Sequence, residues 1–111
     1  MGFIERLIEI AGPGMVTTSP VDCLAYSRDM SIHAGTPQAV VFARDTEQVS
    51  RIVAHANAER IPVVARGTGS SVTGAVLPCK GGIVIDFTRM NAVREVNKAD
   101  GYAVVEPGVI C

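Results

Sequence analysis

The sequence predicts an α+β fold in which a βαβ unit is joined by additional strands. Residues 39–43 form an apolar run rich in β-branched side chains, which is typical of a strand buried on both faces. Residues 46–59 carry apolar side chains at helical spacing, and residues 62–65 form a second short apolar run. The order strand, helix, strand favours a parallel pair with a right-handed crossover. We therefore expect residues 39–43 and 62–65 to be neighbouring parallel strands, both buried.

The helix of this βαβ unit has clear ends. Asp45 can cap its first turn, and Gln48 three residues later completes a capping-box pattern. Pro62 closes the segment because the residue before a proline is disfavoured in the α conformation. The apolar stripe that we expect to face the core consists of Val49, Ile52, Val53 and Ala56.

The remaining elements are predicted from shorter patterns. Residues 3–11 place their apolar side chains on one helical face and their charges opposite, which indicates an amphipathic helix. Residues 15–37 contain turn-forming residues, and we expect an irregular segment there. Three further strands are expected at residues 83–87, 93–97 and 102–106, the last two joined by a turn at residues 98–101.

Length and composition fit one globular domain. The 111 residues are 48% hydrophobic and 19% charged, and their formal net charge is −1. A net charge so close to zero gives no indication of a basic surface that would bind nucleic acid or an anionic membrane. No apolar stretch is long enough to span a bilayer. We expect an N-terminal helix and linker over residues 1–19 and the domain itself over residues 20–111.

The three cysteines are odd in number and far apart in the sequence. Cys23, Cys79 and Cys111 form no CxxC or Cys/His motif, which argues against a zinc site and against a disulfide framework. Reduced thiols are typical of the cytoplasm, which is the location that we expect.

The most unusual part of the sequence is the glycine-rich segment, residues 66–78, which follows the second predicted strand. Its glycines allow successive N–H groups to point into one concavity, its hydroxyls add donors, and its arginine adds positive charge; a diphosphate needs all three. A plain connecting loop has a similar composition, so both interpretations stay open at this point. The segment lacks the Gly-Lys-Ser/Thr of a P-loop, and Val72 interrupts the GxGxxG of a Rossmann fold.

Three longer motifs follow one another along the chain at residues 62–71, 85–91 and 104–109. In these motifs, and in Tyr26-Ser27 upstream, the chain resembles the FAD-linked oxidase family of the vanillyl-alcohol oxidase group, whose members include the glycolate oxidase D subunit and D-lactate dehydrogenases. The resemblance covers about residues 20–110. It implies the first subdomain of an FAD-binding domain, from an enzyme that oxidises a D-2-hydroxy acid such as glycolate or D-lactate.

The resemblance also implies which residues hold FAD. In the family, the segment matching residues 66–71 wraps the FAD pyrophosphate with backbone amides, and the Pro-Gly after the last strand lies near the cofactor. Some members attach FAD through a histidine, but no histidine follows His55 here, so we expect non-covalent FAD. No residue of this chain is assigned a catalytic role. The cofactor-binding candidates are Arg66, Gly67, Thr68, Gly69, Ser70 and Ser71, with Pro107 and Gly108 as a second tier.

In the family the cofactor domain continues into a second subdomain, and a separate domain supplies the substrate pocket. We therefore expect that this chain covers part of the enzyme, that alone it binds FAD weakly or not at all, and that exposed apolar surface leads it to self-associate. Two alternatives stay open. One is the flavin reductase of cell-wall precursor synthesis, and the other is a non-enzymatic fragment or interaction module that keeps the fold without flavin.

Five other residues were weighed for a role. Asp86, at a strand end, can contact ribose or cap a turn, and Arg89 can bind a phosphate or be a solvated charge. We expect His55 to be a partly exposed surface residue of the helix and His33 to be a structural or surface residue. Arg60 occupies a position where relatives commonly have glycine. If the helix ends there in a left-handed conformation, arginine costs about 1 kcal/mol.

Overall fold

The computed structural model describes residues 2–27, 35–67 and 81–109. None of the helices in these ranges is long and apolar enough to cross a bilayer. In chain order the described elements are α1 (Phe3–Ala11), β1 (Val16–Thr17), α2 (Pro20–Ala25), β2 (Ala39–Phe42), α3 (Thr46–Ala58), β3 (Val63–Arg66), β4 (Ile83–Asp86), β5 (Val93–Asn97) and β6 (Tyr102–Val105).

Four strands form one sheet in the order β1-β2-β4-β3. β2, β4 and β3 run parallel, and β1 lies antiparallel to β2 at one edge. Ala39 and Val63 both pair with Ile83, so β2 and β3 share one register on opposite sides of β4. β4 is therefore the centre of the parallel part, and all four of its residues are buried.

The prediction of β2, α3 and β3 as a parallel strand–helix–strand unit is confirmed, but the prediction that its two strands are neighbours is wrong. β4 lies between them. The rule for βαβ crossovers predicts that the two strands are parallel, but it does not predict how many strands lie between them. Residues 83–85 are all apolar, and the central position, with a strand on each side, buries them almost completely.

The prediction of a buried second strand is also wrong for most of β3. Val63 is 36% exposed, and within this strand only Arg66, its last residue, is buried. In the described part of the chain β3 is the last strand on its side of the sheet and pairs only with β4. A short apolar run does not distinguish an edge strand from a central one, because both carry the same residue types.

The prediction of an irregular segment over residues 15–37 is wrong in two places. β1 adds Val16 and Thr17 to the sheet, opposite Val41 and Val40. α2 begins at Pro20, which is favoured in a first turn because its missing N–H would have no helical partner there. Elements of two and six residues are too short to show a period in the sequence.

α1 and α3 contact each other and share one apolar core with the sheet. Leu7 of α1 and Ile52 of α3 are fully buried, and burial of such a side chain contributes about 1.5–3 kcal/mol. Of the stripe predicted on α3, Ile52 and Ala56 are buried, Val49 is half-buried and Val53 is 44% exposed. The core consists of Leu7, Ile10, Ala11, Ala39, Val41, Ala43, Ile52, Ala56, Ile83, Ile85 and Met90.

The contacts at both ends of α3 confirm the helix start and end that the sequence predicts. The Gln48 N–H donates to Asp45 Oδ1 at 2.8 Å, and Gln48 Oε1 accepts the Arg44 N–H at 3.0 Å. After the helix, Arg60 has a φ of 55°, which is the left-handed conformation that the sequence analysis considered. An arginine therefore stands where a glycine would be unstrained.

β5 and β6 form a separate antiparallel hairpin, as predicted. Its turn closes when the Gly101 N–H donates to the Asn97 carbonyl at 2.9 Å. Every residue of β6 and all but the last residue of β5 are exposed. The hairpin therefore contributes no strand residue to the core formed by the described residues.

Arg60→Gly is expected to raise the free energy of unfolding by about 1 kcal/mol, because glycine adopts the left-handed conformation without a Cβ penalty. The matched control is Glu59→Gly. Glu59 has a φ of −93°, where glycine relieves no strain and adds freedom to the unfolded chain, so this change should lower stability. Urea denaturation measures both, and a loss of stability in Arg60→Gly would contradict the strained helix end.

Candidate functional site

The carboxyl ends of three parallel strands meet at one end of the sheet. Phe42 ends β2, Arg66 ends β3 and Asp86 ends β4, and the register places Asp86 between the other two. Ligands of open parallel sheets bind beyond this end of the strands. The fold thus brings the start of the glycine-rich segment to a position where cofactor sites form.

Arg66 is held against Tyr26. It is buried, and its guanidinium carbon lies 4.9 Å from the centre of the Tyr26 ring. Its Nη1 donates to the Tyr26 carbonyl oxygen at 3.3 Å. A cation over an aromatic face is stabilised by about 1 kcal/mol, and by more when water is excluded. The ring and the carbonyl of one residue therefore fix a positive charge next to Gly67 in the chain.

Asp86 is a buried carboxylate with three hydrogen-bond donors among the described residues. Thr88 donates to Oδ1 twice, from its N–H at 2.7 Å and from its Oγ1 at 2.6 Å. The Tyr26 hydroxyl donates to Oδ2. Such donors are needed because a buried carboxylate is costly unless it is hydrogen-bonded. Tyr26, which caps the end of α2, thereby joins that helix to the end of the central strand.

The Tyr26 hydroxyl keeps its proton at physiological pH. Burial, and next the hydrogen bond to Asp86, raise the pKa of Tyr26 above its usual value of about 10. The hydroxyl is therefore a permanent donor to the carboxylate. Its contribution to stability is fully present below the unfolded pKa of about 10 and is lost as the pH rises through the higher folded pKa.

Gly67 and Gly108 both adjoin Phe87 but differ in their surroundings. The Phe87 N–H donates to the Arg66 carbonyl at 2.9 Å, and Gly67 follows directly in the chain. A Cβ on Gly108 would lie 1.8 Å from the Phe87 carbonyl oxygen, so only glycine fits there. A Cβ on Gly67 would meet no described atom within 4 Å. Packing against Phe87 thus requires glycine at position 108, whereas the described residues leave the space beside Gly67 unfilled.

Comparison with known proteins decides the family. The FAD binding domain family matches residues 37–111. The chain belongs to this family. The resemblance on which the sequence analysis rested is therefore confirmed, and FAD is the cofactor of the family.

Individual relatives agree with this membership. The chain is 36% identical over 107 residues to glycolate oxidase subunit GlcD of Bacillus subtilis, covering 96% of this chain and 23% of that protein. It is 36% identical over 108 residues to D-2-hydroxyglutarate dehydrogenase of Stutzerimonas stutzeri, with the same two coverages. The chain therefore spans about a quarter of the length of these relatives.

A solved structure confirms the fold class. p-Cresol methylhydroxylase with substrate bound superposes with a TM-score of 0.85 at 28% identity, over 96% of this chain and 22% of that one. The α+β architecture is that of the FAD-binding fold of the vanillyl-alcohol oxidase type, as predicted.

The described part of the site fits the diphosphate of FAD. Arg66 supplies a positive charge whose position is fixed by Tyr26. Gly67 leaves the backbone accessible to an oxygen atom, because no described side chain or main chain fills the space where its Cβ would be. These two residues are the described ones that would hold the diphosphate.

The eight predicted FAD-binding residues divide into three groups. Arg66 and Gly67 lie together at the carboxyl end of β3. Pro107 is exposed, and Gly108 is buried against Phe87 at the same end of the sheet. Direct contact between FAD and any of the eight stays a prediction. The four that lie outside the described residues are Thr68, Gly69, Ser70 and Ser71.

Sequence patterns do not identify Tyr26 as a site residue, and they predict only one of the two roles that Asp86 has in the structure, which are to cap a turn and to bind Tyr26. Asp86 caps the turn at Thr88, as one of its two expected roles. Its bond to Tyr26 spans 60 positions, and no spacing rule connects residues so far apart. The available signal was the presence of both residues in motifs shared with the family.

Arg89 lies at the same end of the sheet: it is exposed, and its guanidinium carbon lies 4.8 Å from the centre of the Phe42 ring at the end of β2. Its two expected roles, a phosphate ligand or a solvated charge, both stay open. His55 is half-buried, as expected for a partly exposed residue, and it also stacks on Phe3 and shares a hydrogen bond with the Phe3 carbonyl at 3.2 Å. His33 lies outside the described residues.

Proposed function

We propose that this chain is the FAD-diphosphate-binding part of an FAD-dependent oxidoreductase that acts on a D-2-hydroxy acid such as glycolate or D-lactate. Family membership supports the cofactor. The names of two relatives support the substrate class, because glycolate and D-2-hydroxyglutarate are both 2-hydroxy acids. The location that we propose is the cytoplasm, in keeping with the three scattered cysteines.

One observation carries the proposal: the guanidinium of Arg66 is fixed beside Gly67 at the carboxyl end of β3. A diphosphate carries negative charge on oxygens that accept several hydrogen bonds. A fixed guanidinium supplies charge and N–H donors, and a glycine backbone lets the oxygens approach the amides. In this proposal residues 66–71 bind the diphosphate, and Pro107 and Gly108 shape the neighbouring surface.

The part of the reaction that belongs to this chain is binding and orientation. Bound FAD supplies the acceptor for a hydride from the substrate α-carbon. Arg66 holds the diphosphate by charge, and the backbone N–H groups after it orient the cofactor by directed hydrogen bonds. The cofactor is held without a covalent bond to this segment. No residue of the chain is given a catalytic role.

Gly67→Val is expected to weaken FAD binding by at least about tenfold while leaving the fold intact. A Cβ at this position meets no described atom within 4 Å, and Gly67 lies outside the left-handed region, so we expect folding to tolerate the change. The same side chain would occupy the space through which the diphosphate approaches, and loss of one hydrogen bond to a charged group costs about 1.5–3 kcal/mol. Equilibrium dialysis against FAD measures the change.

Two further variants complete this test. Gly67→Ala should weaken binding less than Gly67→Val, because it fills less of the space, and Gly69→Leu should act like Gly67→Val. Gly2→Val is the matched control, since Gly2 also lies outside the left-handed region, with a φ of −71°, and a Cβ there would make only ordinary contacts with the Glu5 side chain. Unchanged FAD affinity in a folded Gly67→Val protein would exclude this backbone as the diphosphate site.

We also propose that copies of this chain associate through the β5–β6 hairpin. Val93 pairs with Val105 and Val96 pairs with Ala103, so these residues share one face of the hairpin. Val96 is 63% exposed, Val93 56% and Val105 45%. A contiguous exposed apolar face of this kind favours association, which hides it from water.

Val96→Lys is expected to shift the chain toward monomer, because a charge on this face opposes its burial. Val21→Lys is the matched control: Val21 is 76% exposed on α2, away from the hairpin. Sedimentation equilibrium measures the molecular mass of each variant. A wild-type chain that sediments as a monomer at all concentrations tested would contradict the proposal.

A further inference from the structure

Arg66 and Asp86 stand side by side on neighbouring parallel strands, as register partners of opposite charge. Such a placement favours a direct ion pair. Among the described residues the ion pairs are instead Arg6–Glu9, in which both side chains are exposed, and Arg94–Glu106, in which only the arginine is exposed. The carboxylate of Asp86 accepts three hydrogen bonds from Tyr26 and Thr88. Three of its roughly four acceptor sites are therefore directed to donors other than the neighbouring guanidinium.

Tyr26 is the residue that connects the two charges. Its hydroxyl donates to Asp86, its ring lies under the guanidinium of Arg66, and its carbonyl accepts from Arg66 Nη1. The ring and carbonyl hold the cation through a neutral surface and one neutral acceptor. The cation is thus held without an ion pair to a carboxylate of the described residues.

We propose that Tyr26, anchored by Asp86, is the positioning residue that holds the Arg66 guanidinium ready for the diphosphate of FAD. The inference rests on the proposed function and adds to it the residue that makes the cation available. The physical reason is competition. A carboxylate beside an arginine competes with a phosphate for the same N–H donors, and a carboxylate that already accepts three hydrogen bonds competes less.

This arrangement predicts what the hydroxyl of Tyr26 does. Tyr26→Phe keeps the ring and the backbone carbonyl but removes the donor to Oδ2 of Asp86. The buried carboxylate then lacks one partner and takes the nearest replacement, the guanidinium of its register partner. Arg66 is drawn toward Asp86 and away from the diphosphate, although no group proposed to contact the ligand has been changed.

The test compares ADP with adenosine as probes of the full 111-residue chain, titrated by nuclear magnetic resonance, which detects weak binding. The ratio of the two dissociation constants isolates what the diphosphate contributes. The wild-type chain should prefer ADP, and Tyr26→Phe should reduce that preference by about tenfold, the equivalent of one charge-assisted hydrogen bond. Tyr102→Phe should leave it unchanged, since that hydroxyl bonds to Glu95 on the exposed hairpin.

Action through Arg66 is tested by a second pair of variants. Arg66→Gln should reduce the preference for ADP, and adding Tyr26→Phe to Arg66→Gln should reduce it no further. A purely structural role for Tyr26 would instead weaken ADP and adenosine equally in either background. That result overturns the inference, as does a Tyr26→Phe protein with the wild-type preference.

If the wild-type chain binds ADP no more tightly than adenosine, the result contradicts the proposed function as well as the inference. In that case the diphosphate site of the proposed function is itself absent, and the inference fails with it. A wild-type preference that survives Tyr26→Phe removes only the inference. Thermal unfolding of each variant shows that the compared proteins are folded.

Discussion

The buried carboxylate of Asp86 constrains the whole carboxyl end of the sheet. β4 lies between β2 and β3, so its last residue is surrounded by protein and is 3% exposed. A carboxylate in such surroundings is stable only when donors surround it. Thr88 provides two donors from the following turn, and Tyr26 provides the third from the end of α2.

The position of Arg66 follows from this requirement. Because Asp86 draws the Tyr26 hydroxyl toward β4, the Tyr26 ring lies beside the end of β3, where Arg66 begins the glycine-rich segment. The strand order therefore has three consequences. It buries β4, it requires hydrogen bonds to Asp86, and through Tyr26 it sets the position of Arg66. The arrangement of side chains at the carboxyl end of the sheet therefore depends on how the central strand is packed.

The glycines around β4 show how packing and binding requirements differ. A Cβ on Gly82 would lie 2.2 Å from the Pro62 carbonyl oxygen at the start of the strand, and one on Gly108 would lie 1.8 Å from the Phe87 carbonyl oxygen after its end. Both glycines are required by close backbone contacts. A Cβ on Gly67 would meet no described atom within 4 Å, so the described residues place no such packing requirement on this position.

Local signals made much of the fold predictable. The caps of α3, the apolar run of β4 and the turn of the hairpin are encoded within a few residues, and each was predicted with small errors at its ends. The strained Arg60 was also considered, because a helix end before Pro62 can be seen in the sequence. Each of these features is determined by residues that lie close together in the sequence.

Long-range features could not be predicted in the same way. The insertion of β4 between β2 and β3 and the exposure of β3 depend on competition between strands for the centre of the sheet. The bond between Tyr26 and Asp86 joins residues 60 positions apart. The glycine-rich segment alone was compatible with a plain connector, and only the family resemblance identified its candidate residues as a set.

The central claim is that the diphosphate of FAD binds where β3 and β4 end. Backbone amide chemical shifts followed during titration of the chain with FAD test it most directly. The signals of Gly67, Phe87 and Gly108 should shift progressively, while that of Gly101 in the hairpin turn stays in place. Shifts confined to the hairpin or to the surface between α1 and α3, with those three signals unmoved, would contradict the claim.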